Sequence, residues 1–383
     1  MTESRDNSYL AAADLLRVLA VFLIGCFHIW QQSWLTPGLR LPGRWVDFTP
    51  WVRRGYMMVD LMLLLSGFLL FLPWARCARA GRPLPETRVF YKKRLARIVP
   101  SYLAAILLCL VNALVCGRNP GSDPLWKDLL LHLTFTHTFS RGAYVWTSLD
   151  VALWTVAVEM QFYLLFPLLG RWFARRPGLT AGGMAALGLL CRVSLLRVPD
   201  ITVYFNQLPC MMDVYAAGML AAWLASGWKK PWNGWVCAAL SLSFLAAVFR
   251  ILQIQNPADN RELNQLQMLW RLPLALAGGG FLFFGCFWPS GLNRALGGRV
   301  LRFLSGISYN FYIWHQFLAV KLKEWHLPDY VTEMPQRDEG LLWQRKYTAL
   351  CFTAGLLAAV LGTYLIEKPG ARLLLKKEKR AGR

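Results

Sequence analysis

Apolar runs of about twenty residues recur along almost the whole chain, and that pattern restricts what it can fold into. Wound as an α-helix, a run of that length matches the hydrocarbon core of a bilayer. Lipid offers no partner to a bare peptide group, so each run must satisfy its own backbone as a helix. Ten spans are expected, at 12–30, 56–74, 98–116, 149–170, 179–196, 209–227, 233–254, 267–288, 303–323 and 346–366. The expected fold is all-α: a polytopic integral membrane helix bundle forming one domain over 1–383, with no room left for a soluble catalytic domain. No internal repeat or Gly/Ser linker divides it. The first run is followed by the bulky QQSWLTPG rather than a small-residue cleavage site, so it is kept as a membrane helix.

Charge sets the expected orientation. With the amino terminus in the cytoplasm, segments 1–11, 75–97, 171–178, 228–232, 289–302 and 367–383 hold 24 Lys and Arg against 5 acids, while the opposite loops hold 11 of each. Positive charge collects on the cytoplasmic side, so both termini are expected there, in a multi-pass protein of the cell (plasma or inner) membrane. The net charge of +21 then reflects topology and contact with anionic membrane lipids, not nucleic acid. Nine cysteines, mostly inside spans and odd in number, suggest neither a disulfide framework nor a metal site. In the outer loop 117–148, the spacing of Leu125, Trp126, Leu129 and Leu133 predicts a short helix lying on the interface.

Ionisable residues inside a bilayer are costly and usually face the protein interior. Arg17 and His28 lie eleven residues apart in the first span, three turns plus about 20°, so they share a face about 16 Å apart. Asp60, Asp150, Asp213, Arg250 and Arg271 fall in the outer thirds of their spans, and Glu159 and His315 nearer the middle. Arg17, Ser66-Gly67 and the run Lys92, Lys93, Arg94, Arg97 give the inner side a cationic mouth. Plainer readings compete: Arg250, Lys321 and Lys323 can snorkel, Asp60, Asp213 and Arg271 can be helix-holding pairs, and His315 can be a packing residue.

Five segments occur in order: LRVLAVFLIGCFH (Leu16–His28), VDLMLLLSGFLL (Val59–Leu70), FYKKRLARIVPSY (Phe90–Tyr102), LWTVAVEMQFYLLFP (Leu153–Pro167) and GISYNFYIWHQFL (Gly306–Leu318). With PCMMDVYAAGMLAA (Pro209–Ala222) and TYLIEKP (Thr363–Pro369), the chain resembles the membrane acyltransferase-3 family, which transfers acyl groups to sugars and related acceptors. The family's Arg and His of the first helix match Arg17 and His28, its paired arginines match Arg94 and Arg97, and the Glu of its aromatic-rich segment matches Glu159, with Tyr163 one turn on. The chain departs from the pattern at Met62-Leu63, where relatives carry two aromatics, and at Met211, where they carry a basic residue.

The resemblance implies His28 and Glu159 as catalytic residues, Arg17, Ser66, Arg94 and Arg97 as donor-binding, and Asp60, Tyr163, Asp213 and His315 as acceptor-side or supporting, with no metal and no bound cofactor. Acyl-CoA, as acetyl-CoA, is the implied donor substrate: guanidinium groups suit its phosphates, and its long pantetheine arm reaches into the membrane. A neutral His28 would act as general base on an acceptor hydroxyl or carry the acyl group briefly. The acceptor is expected to be a sugar-type or small hydroxylated molecule: a surface polysaccharide, peptidoglycan, a lipid-linked sugar or a secreted metabolite. Transfer of succinyl or a longer acyl group is an alternative, as is a transporter or flippase of a lipid-linked glycan, although a transporter would be expected to show inverted repeats. Self-association as a homo-oligomer is left open.

Overall fold

The computed structural model describes residues 9–229, 232–255, 260–338 and 340–381. The portions of the basic segments at 1–8, 230–231 and 382–383 therefore lie outside the described residues.

The long helices are α1 (Ala11–Ser33), α2 (Met58–Arg79), α3 (Thr87–Cys116), and, after the short α4 (Leu125–Leu133), α5 (Trp154–Arg175) and α6 (Pro177–Leu195). They continue as α7 (Met212–Gly227), α8 (Gly234–Ile254), α9 (Asn260–Gly285), α10 (Arg299–Glu324), α11 (Leu342–Leu361) and α12 (Lys368–Ala381). Among the described residues, nine helical stretches are long and apolar enough to cross a membrane, against ten expected. The difference is α10. Its 26 residues occupy the expected ninth span, but Ser305, Ser308, Asn310 and His315 interrupt its apolar surface, and all four are buried in the bundle. An all-α polytopic membrane fold is what results.

One boundary moved, and one loop holds strands. The third helix begins at Thr87, not near residue 98, because Arg88, Lys92, Lys93 and Arg94 are good helix formers that continue the turn below the apolar run. Arg94 and Arg97 consequently sit on helix, three residues apart on one face, rather than in a loop. In the first outer loop, strands β1 (Gly38–Leu41) and β2 (Arg44–Asp47) pair antiparallel around Pro42-Gly43, with Gly43 at φ +73°. A Pro-Gly dipeptide is a turn signal, but the flanking residues alternate too weakly to announce strands.

Because lipid tails are as apolar as leucine, helices in a membrane associate through close packing and hydrogen bonds. α2 and α7 cross at reciprocal glycines: a Cβ on Gly67 would stand 2.6 Å from the Tyr215 carbonyl oxygen, and one on Gly218 2.0 Å from that of Leu64. α1 meets α10 at Gly25, against the ring of Phe311, which also stacks on Phe22 at 4.6 Å. These two contacts fix Ser66 and the Arg17–His28 face. Two buried ion pairs tie further helices. Arg271 of α9 donates Nε to both carboxylate oxygens of Asp60 on α2 at 3.1 Å, and Arg192 of α6 forks onto Asp213 of α7 at 2.8 and 2.6 Å.

The expected interfacial helix forms as α4, with its polarity inverted relative to a soluble protein. Trp126, Leu130 and Leu133 are exposed, while Asp128 and His132 are buried. Asp128 accepts hydrogen bonds from the Thr147 hydroxyl and the Ser148 N–H at 2.9 Å, and the His132 ring lies parallel to that of His137, 3.9 Å between centroids. Burial, then the neighbouring His132, pushes His137 well below the ordinary imidazole range. A histidine whose folded pKa is depressed binds its proton more readily unfolded, so stability is complete above about pH 6.5 and declines as pH falls below it. A thermal unfolding series from pH 5 to 7.5 should show this decline, and His137→Phe should flatten it.

Candidate active site

One cavity, of about 210 Å³, opens between α1, α2, α3, α5 and α10, and six residues singled out in the sequence line it: Arg17, Ser66, Arg94, Arg97, Glu159 and Tyr163. They arrive from four helices. Arg17 rises from α1, where Nη1 donates to Asp14 at 3.0 Å and to the Ser305 hydroxyl at 2.8 Å; Ser305 in turn donates to Asp14 at 2.6 Å. The Asp14-x-x-Arg17 spacing is a one-turn ion pair that orients the guanidinium. Arg94 and Arg97 come one turn apart from the basic extension of α3. Among the described residues neither has a carboxylate partner within ion-pair distance, and Arg94 Nε is buried with no hydrogen-bond partner.

Glu159 supplies the single carboxylate of this wall. Ser66 donates to its Oε1, as does the Tyr163 hydroxyl at 2.5 Å. The close crossing of α7 at Gly67 fixes this turn of α2 and with it the position of the Ser66 hydroxyl. Three guanidinium groups face one carboxylate, so the wall retains a net positive charge suited to a polyanion. Ser308 and Tyr309 complete it, with Tyr309 donating to the Ile98 carbonyl at 3.0 Å. Neither was anticipated, although Ser305, Ser308, Tyr309 and Tyr312 recur at helical spacing in an otherwise apolar segment.

His28 stands apart from the cavity lining, further along the same helix as Arg17. Its neighbour is His315, 5.2 Å between ring centroids. His28 Nδ1 lies 2.9 Å from Gln31 Oε1, and a proton on Nδ1 donated to that oxygen would leave Nε2 its lone pair. Gln31, one turn on from His28, is thus a positioning residue that the i, i+3 spacing could have revealed. His315 repeats the arrangement: Nδ1 donates to the Tyr312 carbonyl at 2.6 Å, and the buried Nε2 has no partner among the described residues. In these tautomers the two imidazoles present unprotonated nitrogens side by side. Glu159 does not join them, since its hydrogen bonds go to Ser66 and Tyr163.

Asp60 and Asp213 are held elsewhere, by Arg271 and Arg192, and do not line the cavity. Arg271 also donates to the Phe205 carbonyl and Asn206, and Arg192 to the Cys210 carbonyl, so both guanidiniums are engaged in holding helices. Near the basic mouth, Gly362–Glu367 forms a π-helical stretch, a single-turn irregularity that often marks functional regions. Asn310 donates to Thr363 at 3.0 Å and to Glu367 at 2.6 Å, anchoring it to α10. Among the described residues, no cluster of three or more His, Cys, Asp or Glu is placed to hold a metal.

A family described as an acyltransferase domain matches residues 10–368. Acyltransferase MdmB of Streptomyces mycarofaciens is 25% identical over 353 residues, covering 84% of this chain and 82% of that protein. A putative acetyltransferase of Acidianus two-tailed virus is 24% identical over 306 residues, 78% of this chain and 80% of the relative. O-acetyltransferase OatA of Staphylococcus aureus is 23% identical over 346 residues, 83% of this chain but 52% of the longer relative. No solved structure matches. With the family match running through every helix that lines the cavity, the chain belongs to the acyltransferase-3 family of membrane acyltransferases.

Proposed function

We propose that this acyltransferase moves an acyl group, most simply acetyl, from acyl-CoA on the cytoplasmic side to a hydroxyl of a glycan or similar acceptor approached from the other side. The observation that carries this reading is the separation, on one face of α1, of a cationic cavity from an imidazole that a proton on Nδ1 would leave with a free Nε2. Arg17, Arg94 and Arg97 would hold the phosphates of the donor, with the unsatisfied Arg94 Nε as one of the donors that calls for an anion. A cavity of about 210 Å³ is smaller than an ordinary ligand pocket, so it suits an extended arm rather than a nucleotide head. The head would rest at the basic mouth and the thioester would reach toward His28.

In the transfer itself, His28 Nε2 takes the proton of the acceptor hydroxyl as its oxygen attacks the thioester carbonyl. The carbon–sulfur bond breaks, and the departing thiolate takes the proton that His28 Nε2 has just received, which returns the imidazole to its neutral form. A hydrogen bond from Nδ1 to Gln31 would hold the ring in the tautomer that leaves Nε2 available as the base. Tyr163 and Ser66 hold Glu159 in place, so that its carboxylate faces Arg94 and Arg97 while Arg17 keeps its pair with Asp14.

Vesicles of defined sidedness test the reading. In inside-out vesicles containing the protein, labelled acetyl-CoA added outside should transfer its label to endogenous material, and in right-side-out vesicles it should not. Arg94→Ala with Arg97→Ala should raise the apparent KM for acetyl-CoA by roughly a hundredfold or more, since charge-assisted contacts contribute about 1.5 to 3 kcal/mol each. Lysine replacements should recover part of the loss, because charge is kept but the bidentate fork is not. Equal labelling from both sides, or an unchanged KM in the double alanine variant, would overturn the assignment of donor side and donor site respectively.

A further inference from the structure

Where α5 turns into α6, only Arg176 separates two long helices, and they diverge to leave a groove of about 680 Å³ on the bundle's outer surface. It is distinct from the cavity above and shares no residue with it. Its upper wall is apolar, formed by Leu169, Leu179, Met184 and Leu187; its lower rim carries Trp172, Arg175 and Arg176. From Leu179 to Leu187 is two helical turns, about 12 Å into the membrane from the basic end. Both arginines are exposed, and among the described residues neither has an ion-pair partner.

Gly183 keeps this groove open without any packing reason of its own. A Cβ added at Gly183, which lines it, would meet no atom within 4 Å, and the same holds at Gly182 beside it. A glycine inside a helix is less favourable than alanine by about 1 kcal/mol, and here neither a close helix crossing nor a positive φ calls for one. The contrast is Gly188 on the same helix, where a Cβ would stand 2.7 Å from Asp213. What Gly183 protects is therefore space that the protein itself does not fill.

We propose that this groove is a binding site for one anionic glycerophospholipid of the leaflet on the basic side. An acyl chain would lie along the apolar wall between α5 and α6, and the phosphodiester would be forked by Arg175 and Arg176 beside the Trp172 ring. Charge complementarity selects the headgroup: a phosphate flanked by two guanidiniums is favoured, and a choline brought to the same place is repelled. The apolar wall requires a lipid rather than a free phosphate, because a soluble anion would leave that wall uncovered. Basic pockets between membrane helices recognise anionic headgroups by this combination.

Native mass spectrometry of the full chain in mild detergent tests the site independently of acyl transfer. With added dioleoyl phosphatidylglycerol or dioleoyl phosphatidylcholine, the protein should retain one phosphatidylglycerol, roughly tenfold more tightly than phosphatidylcholine. Gly183→Leu should expel it by filling the groove, whereas Gly182→Leu, which adds the same side chain to open space outside the lining, should not. Arg175→Gln with Arg176→Gln should still hold a lipid but lose the preference between headgroups. Equal retention of the two lipids by the unmodified protein would overturn the proposal, as would phosphatidylglycerol binding that survives Gly183→Leu.

Discussion

His28→Gln is expected to insert and fold normally while losing acyl transfer by about 10² to 10⁴-fold, the usual contribution of a general base. Glutamine can keep a hydrogen bond to Gln31 and fill much of the same volume beside His315, so packing is preserved. It has no basic nitrogen to receive a proton. The loss should fall on kcat, with the KM for acyl-CoA nearly unchanged, because Arg17 lies about 16 Å away along α1 and Arg94 and Arg97 of α3 line the cavity at that end, not His28. Labelled transfer in vesicles, with thermal unfolding as the folding check, measures both. Near-normal transfer by this variant would make His28 a packing residue and move the catalytic assignment to His315 or Glu159.

Asp60→Ala is expected to destabilise the bundle severely, by about 3 to 5 kcal/mol, since it strands a fully buried guanidinium. The two remaining contacts of Arg271, to the Phe205 carbonyl and Asn206, provide hydrogen bonds but no counter-charge. Replacing both partners together, Asp60→Leu with Arg271→Met, removes the charge along with its partner and should recover most of the loss. Unfolding in detergent, followed by tryptophan fluorescence, compares the three proteins. A single alanine variant as stable as the parent would show that the pair contributes little and that water or lipid headgroups reach Arg271.

The helices were legible because a bilayer imposes length and polarity together, and few sequences satisfy both by accident. α10 tested that rule: its polar face depressed its apolar content, yet those same serines, Asn310 and His315 are what the bundle buries. The start of α3 was misplaced because a basic segment below the membrane looks like a loop to an apolar scan, although lysine and arginine favour helix. Within the site, the convergence of Arg17, Ser66, Arg94, Arg97, Glu159 and Tyr163 on one cavity followed from the order of family motifs, not from spacing along any one helix. Asp14 and Gln31 were readable locally, one turn from Arg17 and His28. The partners of Asp60 and Asp213 were not, because only the tertiary fold decides which guanidinium each carboxylate meets.

The two buried ion pairs also give the chain an order of assembly during its synthesis. Arg192 and Asp213 lie on consecutive helices, so that pair can close as soon as α7 has entered the membrane. Arg271 is 211 residues from Asp60, and until α9 emerges the carboxylate on α2 lacks the guanidinium it hydrogen-bonds in the finished bundle. The nascent bundle therefore carries Asp60 through most of its synthesis without that partner, and the entry of α9 completes the pair. A chain that stalls before α9 exposes an unmatched acid in the bilayer, a chemical signature by which membrane quality control could tell an unfinished bundle from a finished one.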